Sequence, residues 1–462
     1  MPTPHMRHTF SKQIQSLSES AYRFGNFELF PSERLLKRAG RAISIQPRAF
    51  DALHFFLSHA QHLVGKKELM TALWPSVHVS EANLTNLIGA LRKKVGRNSI
   101  RTVSKFGYRF ELPVLGEPGV RRSAYEKFFR ARELTKKRSL EDMQVACNLY
   151  WTALAEDPNF PSAWAWLGRC CWFLDKFSHG PMASAELAKA ALERAFALDS
   201  DLAVAHQFYT LIEVDTGRAA QAMIRLLDRL QRHSAEPETF AGLVQVFRFR
   251  GLLRESMVAH QLAIELDPAL DTGVAHTHFL AGNYSAAIES YSGRDAYYLD
   301  AAAWAARGEL KRAIPLLKER IRIMPLSPLM NALLRSLLAT LQGKPDEAVQ
   351  LMERVDATKE PEILVYFARH YAKAGRTASA FHSLQQAADS GFVCSPETLR
   401  VDPWLDSLPA HREYRAFLTR SRSLVHDAAN TLATHMQKSG GWSSVDLVKH
   451  DLVLRRHAEE TA

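Results

Sequence analysis

A repeating pattern of one glycine and one small residue constrains the fold of this chain more than any other feature of its sequence. The marker glycines are separated by 34, 31, 26, 35 and 32 residues, and a small residue follows each of them five positions later. The glycines are Gly217, Gly251, Gly282, Gly308, Gly343 and Gly375, and the small residues are Ala222, Ser256, Ala287, Ala313, Ala348 and Ala380. A glycine that ends one helix and a small residue that lets the next helix approach closely are typical of stacked helical hairpins. The pattern therefore predicts a helical solenoid.

The period of this pattern resembles that of tetratricopeptide repeats, which is about 34 residues. The resemblance implies a tetratricopeptide-like helical repeat domain over residues 122–420, with a terminal cap within residues 391–418. We expect a C-terminal helical extension over residues 421–462. Another helical-hairpin solenoid is the alternative fold. Arrays of either kind present a concave groove, so we expect a protein or peptide partner in it.

The positive charge of the chain is concentrated before this array. Residues 22–113 carry fifteen Lys or Arg against six Asp or Glu, and therefore contribute +9 to a formal net charge of +10. Residues 1–21, which we expect to be a flexible N-terminus, contribute the remaining +1, and the chain from residue 114 onwards is balanced. An excess localised in this way indicates a polyanionic partner for residues 22–113.

Residues 80–95 have the composition of a helix that enters the major groove of DNA. Ser80 is placed to cap this helix, and Glu81 lies at the positive end of its dipole. The apolar residues at helical spacing, which must face a core, are Leu84, Leu87, Ile88, Leu91 and Val95. The remaining surface is small and polar, so its side chains can contact base edges and phosphates. The candidate DNA contacts on this helix are Asn83, Thr85, Asn86, Arg92 and Lys93.

A basic hairpin is predicted directly after this helix. Residues 100–103 and 108–112 alternate as two antiparallel strands, and Gly107 is expected to allow the turn between them. Such a hairpin can place a basic side chain in the minor groove, where narrow A-tract grooves concentrate negative potential. The candidate DNA contacts on the hairpin are Arg101, Lys105, Tyr108 and Arg109.

The segment before this helix is predicted to form strands followed by two further helices. Short antiparallel strands are expected within residues 22–45, with turns at Pro31-Ser32 and at Gly40. Pro47 is expected to open one helix, and a second is predicted over residues 66–74. Residues 114–121 read as a turn-rich linker. The fold class predicted for the whole chain is mostly α, with an α+β winged-helix domain before the helical array.

The stretches LVGKKELMTALWPSVHVSEANLTNLIGALRKKV and IRTVSKFGYRF resemble the winged helix-turn-helix output domain of OmpR-type response regulators, in particular its CadC- and HilA-like branch. The resemblance covers residues 22–113 and implies a four-stranded sheet, a three-helix core and a hairpin wing. It also implies that Arg92 lies on the DNA backbone and that Asn83, Thr85 and Asn86 lie near bases.

The same resemblance carries expectations about function. It implies a bacterial, cytoplasmic regulator of transcription that binds specific double-stranded DNA. It also implies a homo-oligomer on DNA, as head-to-tail dimers on direct repeats, and contact with RNA polymerase is a further expectation.

Motifs of enzymes and of metal sites are absent from the sequence. There is no Walker A loop, GxGxxG, HExxH or GxSxG, and the four cysteines lack zinc-ligand spacing. His276 and His278 would point to different faces of a helix. We therefore expect no catalytic residue, no metal and no cofactor, and the lack of a long apolar stretch predicts no membrane partner. Two other interpretations are a repeat-based adaptor whose winged domain does not primarily bind DNA, and a sensor with a small ligand in the repeat groove.

Overall fold

The computed structural model describes residues 21–31, 33–60, 63–74, 79–104, 106–112, 114–115, 122–178, 184–233, 236–357 and 360–438. The expected flexible N-terminus, most of the expected linker and the tail after residue 438 lie outside the described residues. In the described part, the chain is mostly helical, with a small α+β unit before a long α-helical array. This confirms the fold class predicted from the sequence.

The N-terminal unit contains two small antiparallel sheets and three helices. Its elements are β1 (Tyr22–Phe24), β2 (Phe27–Phe30), β3 (Leu35–Arg38), β4 (Arg41–Ile43), α1 (Pro47–Ser58), β5 (Leu63–Gly65), α2 (Lys66–Leu73), α3 (Glu81–Val95), β6 (Ile100–Val103), β7 (Gly107–Phe110) and β8 (Val114–Leu115). The first sheet has the order β4-β3-β2-β1-β8, and the second has the order β5-β7-β6.

The first sheet contains one strand more than the four that the resemblance implies. β8 pairs antiparallel with β1, so that Val114 lies opposite Phe24. Two residues of the expected linker therefore belong to the sheet. The hydroxyl of Tyr125, near the start of the array, donates a hydrogen bond to the Val114 carbonyl oxygen at 2.9 Å. β8 thus contacts both parts of the protein.

The expected position of the hairpin turn was wrong. Gly107 lies inside β7 rather than in the turn, and β7 ends at Phe110, two residues earlier than expected. A Cβ atom on Gly107 would lie only 2.0 Å from the Val64 carbonyl oxygen, because β5 pairs with β7 at this point. β5, which was not predicted, is therefore the reason that only glycine fits at position 107.

The array consists of helices that pair in sequence order, followed by a cap. The helices are α4 (Arg122–Thr135), α5 (Leu140–Glu156), α6 (Pro161–Phe177), α7 (Ala185–Leu198), α8 (Ala203–Asp215), α9 (Ala219–Arg232), α10 (Pro237–Phe249), α11 (Leu253–Leu266), α12 (Val274–Leu280), α13 (Tyr284–Glu289), α14 (Leu299–Ala306), α15 (Leu310–Ile323), α16 (Pro328–Leu341), α17 (Pro345–Glu353), α18 (Pro361–Lys373) and α19 (Thr377–Asp389). Each even-numbered helix packs on the helix that follows it. Even-numbered helices of neighbouring hairpins also pack together from α4 to α14 and between α16 and α18.

The glycine markers have the role that their spacing predicted. All six lie in the turn between the two helices of a hairpin, with φ between +71° and +79°, which is the left-handed region. The six small residues that follow them are at most 1% exposed, so the second helix of each hairpin is in close contact there. The structure therefore confirms a tetratricopeptide-like architecture of stacked helical hairpins.

Contacts between distant repeats cross the concave side of the array, where a groove was expected. Lys176 at the end of α6 forms an ion pair of 2.5 Å with Glu360, which immediately precedes α18. The Phe177 carbonyl oxygen accepts a hydrogen bond from the Ser327 amide at 3.0 Å, just before α16. Across the same side, Arg248 of α10 pairs with Glu362 of α18. The array therefore curls until early and late repeats touch.

The last repeat is covered by a short helix, a 3-10 turn and a long helix. These are α20 (Pro396–Val401), the turn Leu408–Ala410 and α21 (Arg412–Lys438). The Arg369 guanidinium of α18 is fully buried and pairs with the Asp402 carboxylate at 2.5 Å. α21 spans residue 421, where the C-terminal extension was expected to begin, and packs on the array through Ala428 and Leu432. No helix in the described ranges combines the length and the hydropathy that crossing a membrane requires.

Candidate nucleic-acid interface

Helix α3 buries one side in the N-terminal unit and exposes the other. Leu84, Ile88 and Leu91 are fully buried, together with side chains of α1 and of the second sheet. Asn86 and Lys93 lie about two turns apart on the opposite, exposed side. No acidic side chain lies between them in the sequence. This surface is suited to contacts with base edges and phosphates in a major groove.

The start of α3 is positioned by an ion pair rather than by the expected cap. Ser80 has the extended backbone of an N-cap, but its hydroxyl accepts no capping hydrogen bond. Glu81 instead binds Lys66 at 2.6 Å, which joins the first turn of α3 to the first turn of α2. The Thr85 hydroxyl donates to the Glu81 carbonyl oxygen at 3.0 Å. Asn83 and Thr85 are both exposed beside this first turn.

Arg92 joins α3 to the hairpin. Its Nε donates to the Ile100 carbonyl oxygen at 2.9 Å, and its Nη2 donates to the Thr102 hydroxyl at 2.8 Å. The side chain is half-buried. Two of its donors are therefore used within the protein, and the expected contact between Arg92 and phosphate depends on the donors that remain. The two hydrogen bonds hold strand β6 of the hairpin against α3.

The second sheet has two covered faces. Val64, Tyr108 and Phe110 point into the core of the N-terminal unit. On the other face, Leu63 belongs to the core of the helical array, and Val103 and Phe106 pack against that core. The back of the hairpin is therefore docked on the array, while α3 keeps its polar side exposed.

Arg101 and Arg109 lie directly opposite each other in the hairpin, but only one of them is exposed. Arg109 donates to the Glu111 carboxylate at 2.9 Å and to the carbonyl oxygen of Leu266, the last residue of α11. Its side chain is only 10% exposed, whereas Arg101 is exposed. The register of β6 and β7 places Arg101 opposite Arg109 on the same face, so the end of α11 covers one arginine and leaves the other open.

The structure therefore separates the residues predicted to contact DNA. The exposed ones are Asn83, Thr85, Asn86, Lys93 and Arg101. Tyr108 is 4% exposed within the domain core, and Arg109 is held by the array, so neither lies on a surface open to DNA here. Lys105 lies outside the described residues. Alternation along β7 could have predicted the burial of Tyr108, whereas the cover over Arg109 left no signal in the local sequence.

Comparisons with known proteins agree with this geometry. The family model described as transcriptional regulatory protein, C terminal, matches residues 40–110. The transcriptional activator CadC of Escherichia coli K12 is 30% identical over 105 residues, which are 21% of this chain and 20% of CadC. The transcriptional regulator HilA of Salmonella typhimurium LT2 is 31% identical over 103 residues, or 21% of this chain and 18% of HilA.

A solved structure is also similar to part of this chain. The DNA-binding domain of Escherichia coli CadC is 31% identical, with 21% of this chain and 97% of that domain covered and a TM-score of 0.20. The chain spans about a fifth of the length of the curated relatives CadC and HilA. Residues 40–110 are thus homologous to the OmpR-type DNA-binding domain that these regulators carry, and this confirms the resemblance seen in the sequence.

Proposed function

We propose that this protein is a sequence-specific DNA-binding regulator of transcription, and that α3 is its recognition helix. The observation that carries the proposal is the exposed polar side of α3, opposite a fully buried apolar stripe. Asn83 and Asn86 offer amides that pair with adenine edges, and the Thr85 methyl group suits a thymine methyl group. Lys93 provides a phosphate contact near the end of the helix.

The hairpin provides the second contact in this proposal. Arg101 is its exposed cation among the described residues of β6 and β7, and Lys105 occupies the expected turn in the sequence. Both would add affinity through phosphates or the minor groove without reading bases directly. Arg92 holds the hairpin to α3 and so fixes the distance between the two contacts.

The proposal also covers the location of the protein and its protein partners. We further propose that the protein is cytoplasmic and acts on promoter DNA as a homo-oligomer that contacts RNA polymerase. The homologous domains belong to bacterial regulators of transcription. A protein or peptide partner in the groove of the array remains part of the proposal, and such a partner would meet the contacts between distant repeats that cross this side.

The test is binding of the full chain to a randomised duplex pool, followed by fluorescence anisotropy across a salt series and sequencing of the bound fraction. We expect an enriched motif and a steep loss of affinity with salt. Asn86→Ala should lose about 1–3 kcal/mol on the preferred site and relax its sequence. Lys93→Ala should weaken all duplexes alike and lower the salt slope by about 0.9.

The matched control is Asn148→Ala, which removes an exposed amide from α5 in the array. It should change neither the motif nor the affinity. Absence of binding at low salt would refute the proposal. An unchanged motif for Asn86→Ala, alongside intact binding, would instead refute the orientation of α3.

A further inference from the structure

A cavity lies on the concave side of the array, where the repeats curl together. Its volume is about 520 Å³, and its walls come from α6, α8, α10 and α18 and from the segment between α11 and α12. Pockets for small organic molecules typically have volumes of about 300–1,000 Å³. The cavity is therefore large enough for a small molecule.

Positive charge exceeds negative charge in the wall of this cavity. The wall contains five Lys or Arg side chains and three carboxylates. Asp271 is shared by two of these cations, Arg138 at 3.3 Å and Arg294 at 3.2 Å. The pKa of the Asp271 carboxyl lies well below its usual range, despite burial, because these guanidiniums stabilise its charge. The Asp271 carboxylate is thus ionised and already engaged by the protein, and the other two carboxylates contact Lys176 and Arg248.

Arg169 of α6 is the cation that remains. No hydrogen bond or ion pair involves its guanidinium within the described parts of the chain, and its Nη1 is buried without an acceptor. The contacts of the guanidinium are with the rings of Trp166 and Phe208, at 5.8 and 5.6 Å from their centroids. Burial lowers the pKa of Arg169, and the more distant charge of Asp271 offsets only part of this effect. A buried guanidinium nitrogen without an acceptor is costly, and an anionic ligand would supply the missing partner.

The rest of the wall is rich in aromatic surface. Trp172, Phe173, Phe249 and Tyr366 come from three different helices and line the same space as Arg169. Flat apolar surface beside one unpaired cation is suited to a ligand with an aromatic body and one anionic group. An extended peptide is a poorer fit, because the ion pair between Lys176 and Glu360 closes the array beside the cavity.

We propose that this cavity binds a small aromatic carboxylate, with Arg169 as the partner of its anionic group. The proposal goes beyond DNA binding by the N-terminal domain and does not depend on it. The array would then act as a sensor module for a small organic acid.

The test uses the full chain and two probes of the same shape. Isothermal titration calorimetry with 1-naphthoate and with the neutral 1-naphthamide separates the charge from the aromatic body. Since a hydrogen bond to a charged group outweighs a neutral one, 1-naphthoate should bind at least about tenfold more tightly than 1-naphthamide. Trp172, in the cavity wall, provides a second readout through quenching of its fluorescence.

The decisive variant is Arg169→Gln. It should bring the affinities of the two probes to within about threefold while 1-naphthamide still binds, which shows that the cavity has kept its shape. Its Tm without ligand should equal or exceed that of the parent chain, because an unpaired buried charge is removed. Arg335→Gln removes an exposed guanidinium from α16 and should leave both affinities unchanged.

Three results would overturn the proposal. These are equal affinity of the parent chain for the acid and the amide, a preference for the acid that survives in Arg169→Gln, and no saturable binding of either probe at millimolar concentration. A lower Tm for Arg169→Gln, with selectivity unchanged, would assign Arg169 to packing on Trp166 and Phe208 instead.

Discussion

Two arginines that face each other in the hairpin should respond to alanine substitution in opposite ways. Arg101 is exposed, whereas Arg109 donates to Glu111 and to the Leu266 carbonyl oxygen of the array. Arg101→Ala should therefore weaken DNA binding without affecting the docking of the hairpin. Arg109→Ala should loosen docking without removing a DNA contact. The comparison is well matched, because both changes remove the same side chain from one face of one sheet.

The magnitudes follow from what each guanidinium touches. A hydrogen bond to a charged group contributes about 1.5–3 kcal/mol net. In Arg109→Ala, Glu111 is about one-third exposed and can rehydrate, so the loss at the buried Leu266 carbonyl oxygen dominates. The docking equilibrium should then shift by between about tenfold and about 150-fold. In Arg101→Ala, loss of one phosphate contact should lower the slope of log affinity against log salt by about 0.9.

Two assays separate these effects in the full chain. Hydrogen-exchange mass spectrometry should show faster exchange in residues 100–112 and at the end of α11 for Arg109→Ala only. Anisotropy titrations across salt should show the smaller slope for Arg101→Ala only. Lys318→Ala, an exposed cation on α15, should change neither. If Arg109→Ala lowered the slope as much as Arg101→Ala and left exchange unchanged, Arg109 would be a DNA contact and the docked hairpin would not be the state in solution.

Four further changes test the stability of the fold. Asp402→Asn should destabilise the array by about 3–5 kcal/mol in urea unfolding, because it leaves Arg369 buried with a weakened partner. Gly107→Ala should lower the free energy of unfolding by about 1–3 kcal/mol, since its Cβ would collide with a backbone oxygen. Gly89→Ala, where a Cβ meets no atom, should be neutral or stabilising by up to about 1 kcal/mol. Burial lowers the pKa of His206 from 6.5 to about 4, so this histidine is neutral in the folded chain. Its contribution to stability is complete above pH 6.5 and is lost as the pH falls towards 4, and His206→Gln should flatten urea midpoints over that window.

Features that depend on neighbours along the chain could be predicted from the sequence. The spacing of Leu84, Ile88 and Leu91 fixed which side of α3 is buried, and therefore which side carries Asn86. The recurrent glycines marked the turns of the hairpins, because a helix that ends in the left-handed region favours glycine wherever it occurs. Both signals are local, and neither requires knowledge of the tertiary structure.

Features that depend on distant parts of the chain could not be predicted in this way. Alternation along β7 places Arg109 on the face opposite Tyr108, but only the end of α11, 157 residues later, decides that this face is covered. The curvature of the array is also not predicted by the local sequence, since small rotations accumulate over many repeats before Lys176 contacts Glu360. The sequence identifies each repeat but does not predict the total rotation that the repeats accumulate. The cavity forms because this rotation brings early and late repeats together.

The end of α11 and the segment that follows it connect the docked hairpin with the cavity. Leu266, which accepts the hydrogen bond from Arg109, lies two residues before Pro268, where this segment begins to line the cavity. Asp271 in the same segment binds Arg138 and Arg294. A ligand beside Arg169 therefore changes the surroundings of the segment that holds the hairpin. Because coupling between two binding equilibria is reciprocal, docking of the hairpin must alter ligand affinity by the same factor by which the ligand alters docking. The hydrogen bond at Leu266 contributes about 1.5–3 kcal/mol to docking, which lies within the usual range for allosteric coupling.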